Sequence, residues 1–242
     1  MIVLFTDFGL AGPYTGQVLA VLQRDAPGVP AVSLFADAPA GMAKPCAYLL
    51  AAYAEWFPAG TVFLAVVDPG VGGARRALIV EAGGRRFVGP DNGLFEPVLR
   101  RAADSRCWEI TWRPPSLSAS FHGRDLFAPV AARLAAGAEC AALARPGVPI
   151  REKSWPDDLA EIVYVDHYGN SLTGLRGDSV PQAGCLVAGG RRIARAQTFS
   201  AVAEGEAFWY VNSNELVEIA VNRGRADQAL GLTVGSPVAV SG

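Results

Sequence analysis

The amino-acid sequence predicts an α/β protein, with an N-terminal α/β domain on a mainly parallel sheet and a small C-terminal β-barrel domain. Three observations predict it. Ile2–Phe5 and Thr61–Val67 are short runs without a charged residue, the composition of strands buried on both faces. Segments with apolar residues at helical spacing lie between and after them, in the strand–helix alternation of a parallel α/β layer. Beyond residue 158 the chain turns to short β-rich runs set off by glycine turns, the pattern of a small barrel or sandwich.

Each element has its own warrant. Ile2–Phe5 runs into Thr6-Asp7-Phe8-Gly9, a polar loop after a buried strand. Tyr14–Arg24 has helical periodicity and is stopped by Pro27-Gly28-Val29-Pro30. Ala31–Phe35 is the second strand. Ala43–Trp56, rich in alanine and leucine, is a helix ending before Pro58, and Thr61–Val67 is a third strand closed by Asp68-Pro69-Gly70. Ala77–Glu81 and Arg86–Val88 flank Gly83-Gly84 as a hairpin. Leu126–Ala136 is a helix that tolerates Pro129 near its first turn. Arg145–Asp158 carries three prolines and mixed charge, which places domain 1 at 1–148, a linker at 149–158 and domain 2 at 159–242. Strands are expected at Glu161–Val165, Cys185–Ala188, Ala207–Val211, Val217–Val221 and Ser236–Val240.

Composition narrows the function classes. Of 242 residues 51% are hydrophobic, ample for a packed core, and 21 basic against 23 acidic residues leave a formal charge of −2. No basic block suggests a nucleic-acid groove, so no nucleic-acid partner is expected. Cys46, Cys107, Cys140 and Cys185 lie too far apart for a zinc cluster and are expected to be free thiols, with no metal site. No signal-peptide pattern opens the chain and no run approaches the ~20 apolar residues of a membrane span. A soluble, cytoplasmic protein without a membrane partner is the expectation.

Six segments carry candidate chemistry. In a parallel sheet, ligands sit at the carboxyl ends of strands, and Asp7 and Asp68 both fall just past one, facing a common cleft. Asp7 is placed either to take two hydrogen bonds from a ribose diol or to cap the next turn. Asp68-Pro69-Gly70-Val71-Gly72-Gly73-Ala74-Arg75-Arg76 allows close backbone approach, yet it has neither the lysine of a phosphate-binding loop nor the dinucleotide-binding spacing. Pro90-Asp91-Asn92-Gly93-Leu94 is by itself a turn. Ser118-Ala119-Ser120-Phe121-His122-Gly123-Arg124-Asp125 holds one of two histidines; it is either an ordinary loop or an acid, base or water-holder, with Asp125 as helix cap or partner of Arg124. Asp166-His167-Tyr168-Gly169-Asn170 is a turn or a reader of a heterocycle, and Tyr210-Val211-Asn212-Ser213-Asn214-Glu215-Leu216, leading to Ala220-Val221-Asn222-Arg223, is a sixth candidate that by itself is a polar hairpin connection.

Taken in order, the six segments resemble the S-adenosyl-L-methionine hydrolase (adenosine-forming) family, which also contains fluorinase and chlorinase enzymes. The resemblance runs from Ile2 to about Val240, and its most specific pieces are Asp68–Arg76, Pro90–Leu94 and Phe121–Asp125. It implies an N-terminal α/β domain, a C-terminal β-barrel and a homotrimer, with the ligand between the first domain of one subunit and the second of its neighbour. It implies an Asp68, Arg75, His122 triad that handles water attacking ribose C5′ of S-adenosyl-L-methionine, which is the substrate; no cofactor or metal is called for. Substrate contacts fall on Asp7, Asn92, Ser120, Phe121, Asp166, Tyr168, Asn170, Ser213 and Asn222. The halogenating members typically carry tyrosine in place of the triad aspartate, so Asp68 favours the hydrolase branch.

Three places depart from the family pattern. Phe35–Met42 has small residues where many members carry Thr-His and an aromatic or acidic stretch. Leu172 stands where halogenating members place tryptophan, and Asn214-Glu215 replaces a usual aromatic-glycine or arginine-glycine pair. Two alternatives remain: a halogenase on the same fold forming a 5′-halo-5′-deoxyadenosine, and a non-catalytic nucleoside- or S-adenosyl-L-methionine-binding protein.

Overall fold

The computed structural model describes residues 1–241, which divide into two compact units. The first comprises Met1–Ala51 and Phe57–Glu152; the second comprises Ala52–Trp56 and the chain from Lys153 onward.

In the first unit the strands are β1 (Ile2–Thr6), β2 (Ala31–Phe35), β3 (Val62–Val66), β4 (Ala77–Ala82), β5 (Arg85–Pro90), β6 (Ser105–Ile110) and β7 (Ala144–Pro146). They form one sheet in the order β2-β1-β3-β5-β4-β6-β7. The helices are α1 (Tyr14–Asp25), α2 (Ala43–Ala54, whose residues from Ala52 belong to the second unit), α3 (Glu96–Arg101) and α4 (Ala128–Ala135). Every residue of β1 and β3 is buried, as expected of strands covered on both faces. Helices α1 and α4 pack a core of Val18, Leu22, Val130, Ala131 and Leu134 against Ile2, Leu4, Leu64 and Val66. Pro129 sits at the start of α4, where its missing N–H costs no helical bond. A π-helical turn, Gly123–Phe127, precedes it.

The sheet is mixed, not mainly parallel. β2, β1, β3 and β5 run parallel, but β4, β6 and β7 join through antiparallel pairs. The cause lies in the β4–β5 connection. Gly83 and Gly84 both have positive φ, +55° and +74°, and a two-residue turn of this kind can only reverse the chain. After α3 the chain places β6 antiparallel on the far side of β4, and β7 adds antiparallel to β6.

The second unit holds β8 (Leu159–Val165), β9 (Ser171–Arg176), β10 (Cys185–Ala188), β11 (Arg191–Arg195), β12 (Ala207–Val211), β13 (Leu216–Val221), a short helix α5 (Ala226–Leu230) and β14 (Ala239–Ser241). Their order is β14-β10-β11-β12-β13-β9-β8, with β11–β12 the one parallel pair. The sheet curls into a half-barrel: Glu161 of β8 bridges to Pro237, just ahead of β14, and Val238 N–H donates to Ala160 O at 2.9 Å. Inside the curl Trp209 is fully buried, its indole N–H donating to Gly184 O at 3.2 Å among Ile162, Leu186, Ile193 and Ile219.

Sequence reading did not anticipate β6, β7, β9, β11, α3 or α5. β11, Arg191–Arg195, shows why: four of its five residues are exposed, so little hydrophobic periodicity marks it.

One contact in the first sheet is a sharp test of its packing. A Cβ at Gly89 of β5 would lie 2.0 Å from Ala65 O and 3.0 Å from the Phe95 ring. Gly89→Ala should therefore force β3 and β5 apart and lower stability by about 1–3 kcal/mol, read from the denaturant midpoint. An unchanged midpoint would contradict the close approach of these strands.

Candidate functional site

The site in the first unit grows from the carboxyl ends of two neighbouring strands. β1 and β3 pair in register through Phe5–Ala65 and Thr6–Val66, and Asp7 and Asp68 follow one and two residues past these strand ends, near enough for the Asp68 charge to act on Asp7. Asp7 Oδ2 accepts the Gly41 N–H at 2.9 Å. Burial pushes the Asp7 carboxyl above its ordinary value, the charge of Asp68 adds to this, and the Gly41 N–H opposes it. The small residues of Phe35–Met42 thus have a structural use: Gly41, at φ +68°, turns its backbone N–H onto Asp7, and Ala38 N–H donates to Thr6 O at 3.1 Å.

From Asp68 the chain loops outward and back to Arg75. Val71 N–H returns to Asp68 O and Gly73 N–H to Gly70 O. Gly72 is required twice over, by its φ of +78° and because a Cβ there would stand 2.5 Å from Ala119 O. That approach lays the 68–76 loop against the 118–125 loop. Arg75 then reaches both ways. Its Nε lies 2.9 and 3.0 Å from the two Asp68 oxygens, Nη2 bonds Asp68 Oδ2, and the same Nη2 lies 2.8 Å from His122 Nδ1. The guanidinium also stacks over Phe127, 5.2 Å from the ring centre.

Because a guanidinium only donates, His122 Nδ1 must accept, which fixes the neutral ring with its proton on Nε2. Burial, and after it the Arg75 charge, hold the His122 pKa below the ordinary histidine value, while Asp68 and Asp125 pull weakly the other way. His122 starts the π-helical turn, whose Gly123 leaves room for packing: a Cβ there would be 2.8 Å from Phe8. Phe121 lies edge-on to Phe8 and Tyr14, at 5.6 and 5.5 Å between ring centres, with Arg124 over its own face at 5.1 Å. Asp125 pairs with Arg124 at 2.6 Å and accepts the Ser118 N–H, and the Arg124 bond holds its carboxyl below the ordinary range.

The remaining first-unit candidates divide. Ser120 is exposed, its hydroxyl 3.4 Å from that of Ser118. The Asn92 amide donates to Val67 O at 2.8 Å and its carbonyl accepts the Leu94 N–H, so this side chain braces the strand end that carries Asp68.

The second unit contains a cleft of about 850 Å³ lined by, among others, Tyr53, Asp166, Tyr168, Asn170, Tyr210 and Glu218. Asp166–Gly169 is a turn, closed by Gly169 N–H to Asp166 O at 3.0 Å. Asp166 accepts both the backbone and the side-chain N–H of Asn170, each at 2.9 Å, which buries Asn170 and points the aspartate along the cleft wall. Tyr168 is 72% exposed, free to lie on a ligand's face. Ser213 also lines the cleft; Asn222 is not among its lining residues, and its amide donates to Val202 O at 2.9 Å. Among the described residues no group of His, Cys, Asp and Glu is placed to hold a metal ion, and no helix is long and apolar enough to cross a membrane.

Residues 2–144 match the SAM hydroxide adenosyltransferase N-terminal domain and residues 160–239 its C-terminal domain. The chain belongs to this family. It is 40% identical to the (R)-S-adenosyl-L-methionine hydrolase of Thermus thermophilus, over 96% of each chain. It is 39% identical to the enzyme of that name from Salinispora tropica, over 98% of this chain and 95% of the relative. Among solved structures, an uncharacterized conserved protein of Thermotoga maritima superposes with a TM-score of 0.90 at 30% identity, each chain covered in full. A conserved hypothetical protein of Thermus thermophilus does so at 0.79 and 37%, over 99% of each.

Within this SAM hydroxide adenosyltransferase chain, sequence reading missed Tyr14, packed against Phe121, and Tyr53 and Glu218 in the cleft; Phe8, Tyr210 and Asn212 lay in motifs it singled out but were given no role. One signal was available: Glu218 is a lone carboxylate in the otherwise apolar strand Leu216–Val221, and Tyr210 lies directly across from it in the β12–β13 register.

With only two histidines in the chain, the tautomer is open to direct observation by ¹⁵N NMR. His122 should show an unprotonated Nδ1 and a protonated Nε2 at neutral pH, and should titrate below the ordinary histidine value. Arg75→Met should raise that titration, since the guanidinium disfavours the cationic ring. A His122 protonated on both nitrogens at pH 7 would sink the arrangement.

Proposed function

We propose that the protein hydrolyses S-adenosyl-L-methionine to adenosine and L-methionine by in-line attack of water or hydroxide on ribose C5′. The observation that carries the site assignment is Arg75 bridging Asp68 and His122 behind the carboxyl ends of β1 and β3. The relatives named above specify the (R) form, which is the substrate we expect here.

The chemistry asks little of the protein. The sulfonium is already a good leaving group: the C5′–O bond forms, the C5′–S bond breaks, and its electron pair neutralises sulfur as methionine departs. No acid need protonate the leaving group, and no metal or cofactor is called for. What remains is placing the nucleophile opposite sulfur, where positioning supplies most of the rate. Asp68 fixes Arg75, and Arg75 occupies the lone pair of His122 Nδ1. In this reading His122 is a donor through Nε2–H, holding water or hydroxide in line rather than removing a proton, and the proton of a water nucleophile passes to solvent. Asp7 takes the ribose hydroxyls, with Phe121 and Ser120 beside them and Asn92 bracing the Asp68 strand end. Asp166, Tyr168, Asn170 and Ser213 receive the adenine and methionine ends, and Asn222 supports the hairpin behind them.

The family resemblance further supports a homotrimer in which one subunit's first unit and its neighbour's second unit share a ligand. Four free cysteines fit work in the reducing cytoplasm.

Purified protein given S-adenosyl-L-methionine without halide should release adenosine and methionine in equal amounts, measured by chromatography. Asp68→Ala and Arg75→Ala should each lower the rate about 100-fold or more while adenosine still binds. Either variant at near wild-type rate would remove the triad from the mechanism; a 5′-halo-5′-deoxyadenosine made with added halide would move the protein to the halogenating branch.

A further inference from the structure

The cleft of the second unit contains a carboxylate that the reaction scheme above does not use. Glu218 lies on β13, 5% exposed, and each of its oxygens is held by a neutral donor: Tyr210 O–H at 2.6 Å on Oε1 and Asn212 Nδ2–H at 2.8 Å on Oε2. Asp166, lining the same cleft, likewise accepts only amide N–H groups, both from Asn170. The two arginines of the lining are engaged with other carboxylates. Arg223 pairs with Glu204 at 3.2 Å and Arg225 with Asp227 at 2.9 Å, and neither acid belongs to the lining. Among the described residues, no cation bonds to Glu218.

A buried carboxylate is ordinarily paired with a cation or coordinates one, because removing the charge from water is costly. Glu96 follows that rule: its buried carboxylate is gripped by Arg100 and Arg151. Glu218 departs from it at a ligand cleft whose wall carries several aromatic rings, Tyr53, Tyr164, Phe199 and Tyr210, a surface that suits organic cations. Its burial, with Asp166 nearby, pushes its carboxyl above the ordinary range, the strain a bound cation would relieve.

We propose that Glu218 is a specificity-determining residue that makes the cleft favour a nucleoside carrying a positive centre at the 5′ substituent over its neutral counterpart. The proposal rests on the reading of S-adenosyl-L-methionine as substrate and deepens it. The sulfonium is positive before the C5′–S bond breaks and neutral afterwards, so a negative cleft holds the substrate and loosens its grip on the thioether product. It also selects against S-adenosylhomocysteine, which lacks the charge together with the sulfonium methyl.

The test uses two stable ligands and the full-length protein. Sinefungin carries an amine cation in place of the sulfonium, whereas S-adenosylhomocysteine is neutral there. Calorimetric Kd values for both, and for adenosine as an uncharged control, should be measured for wild type, Glu218→Gln and Asp166→Asn. The wild type should prefer sinefungin. Glu218→Gln, which keeps the shape, should cut that preference about tenfold with adenosine binding little changed, as loss of one charge from a half-screened cleft requires. Asp166→Asn should act in the same direction and serves if Glu218→Gln melts. A preference unmoved in both variants, or equal weakening of all three ligands, would overturn the proposal and leave Glu218 a brace for Tyr210 and Asn212. Wild type that forms adenosine but shows no preference sinks this inference alone; wild type that neither binds these ligands nor forms adenosine sinks the substrate reading with it.

Discussion

A guanidinium held between a carboxylate and an imidazole cannot be moved without disturbing both. The side chains of Asp68 and Arg75 are only 6% and 11% exposed, so the pair lies where removing one partner strands the other charge, at a cost of about 3–5 kcal/mol. Everything else in the first-unit site answers to that geometry. Gly72 lets the loop from Asp68 press on Ala119, Asn92 ties the end of β3 at Val67, and Gly123 lets Phe8 and Phe121 close over the turn that begins at His122. Each fixes one end of a chain of contacts whose middle is Arg75.

Asp68 in the first unit and Glu218 in the second are buried carboxylates met by different partners. Three carboxylates of the first unit meet arginine, Asp68 with Arg75, Asp125 with Arg124 and Glu96 with Arg100 and Arg151, while Asp7 accepts the Gly41 N–H. There the charges cancel locally, and the ring of His122 beside Arg75 is left neutral. In the second unit Asp166 and Glu218 are met by amides and a phenol, which orient the carboxylates without neutralising them. A neutral donor suits a nucleophile, and a bare carboxylate suits a cation.

The readable part of this architecture was local. Buried strands ending in Asp7 and Asp68 could be seen from charge-free runs followed by glycine, since a doubly covered strand tolerates nothing else. The Gly83-Gly84 hairpin was legible too, but its consequence for strand direction was not drawn, and the sheet is mixed for that reason. The contact between Arg75 and His122 spans 47 positions, and no local periodicity encodes it; resemblance alone could suggest the pairing. Glu218 was hidden differently. Its strand reads as core because its neighbours are core, and the alternation that turns its side chain into the cleft becomes visible only when Tyr210 and Asn212 are seen to bond to it.

In the proposed reaction the tautomer of His122 decides whether the ring acts as a base or as a donor. A histidine acting as base needs a free nitrogen lone pair facing the nucleophile, and commonly a carboxylate behind it to steady the cation that forms. Here an arginine stands behind the ring. It occupies the lone pair at Nδ1, and burial, with the arginine charge after it, disfavours the cationic ring, so the ring is kept neutral. Such an arrangement would be wasteful for cleaving an unactivated bond, where the nucleophile must be sharpened. It suits a displacement whose leaving group is a sulfonium, because the difficulty then lies in aligning a weak nucleophile, and a fixed N–H donor aligns without needing to change its charge.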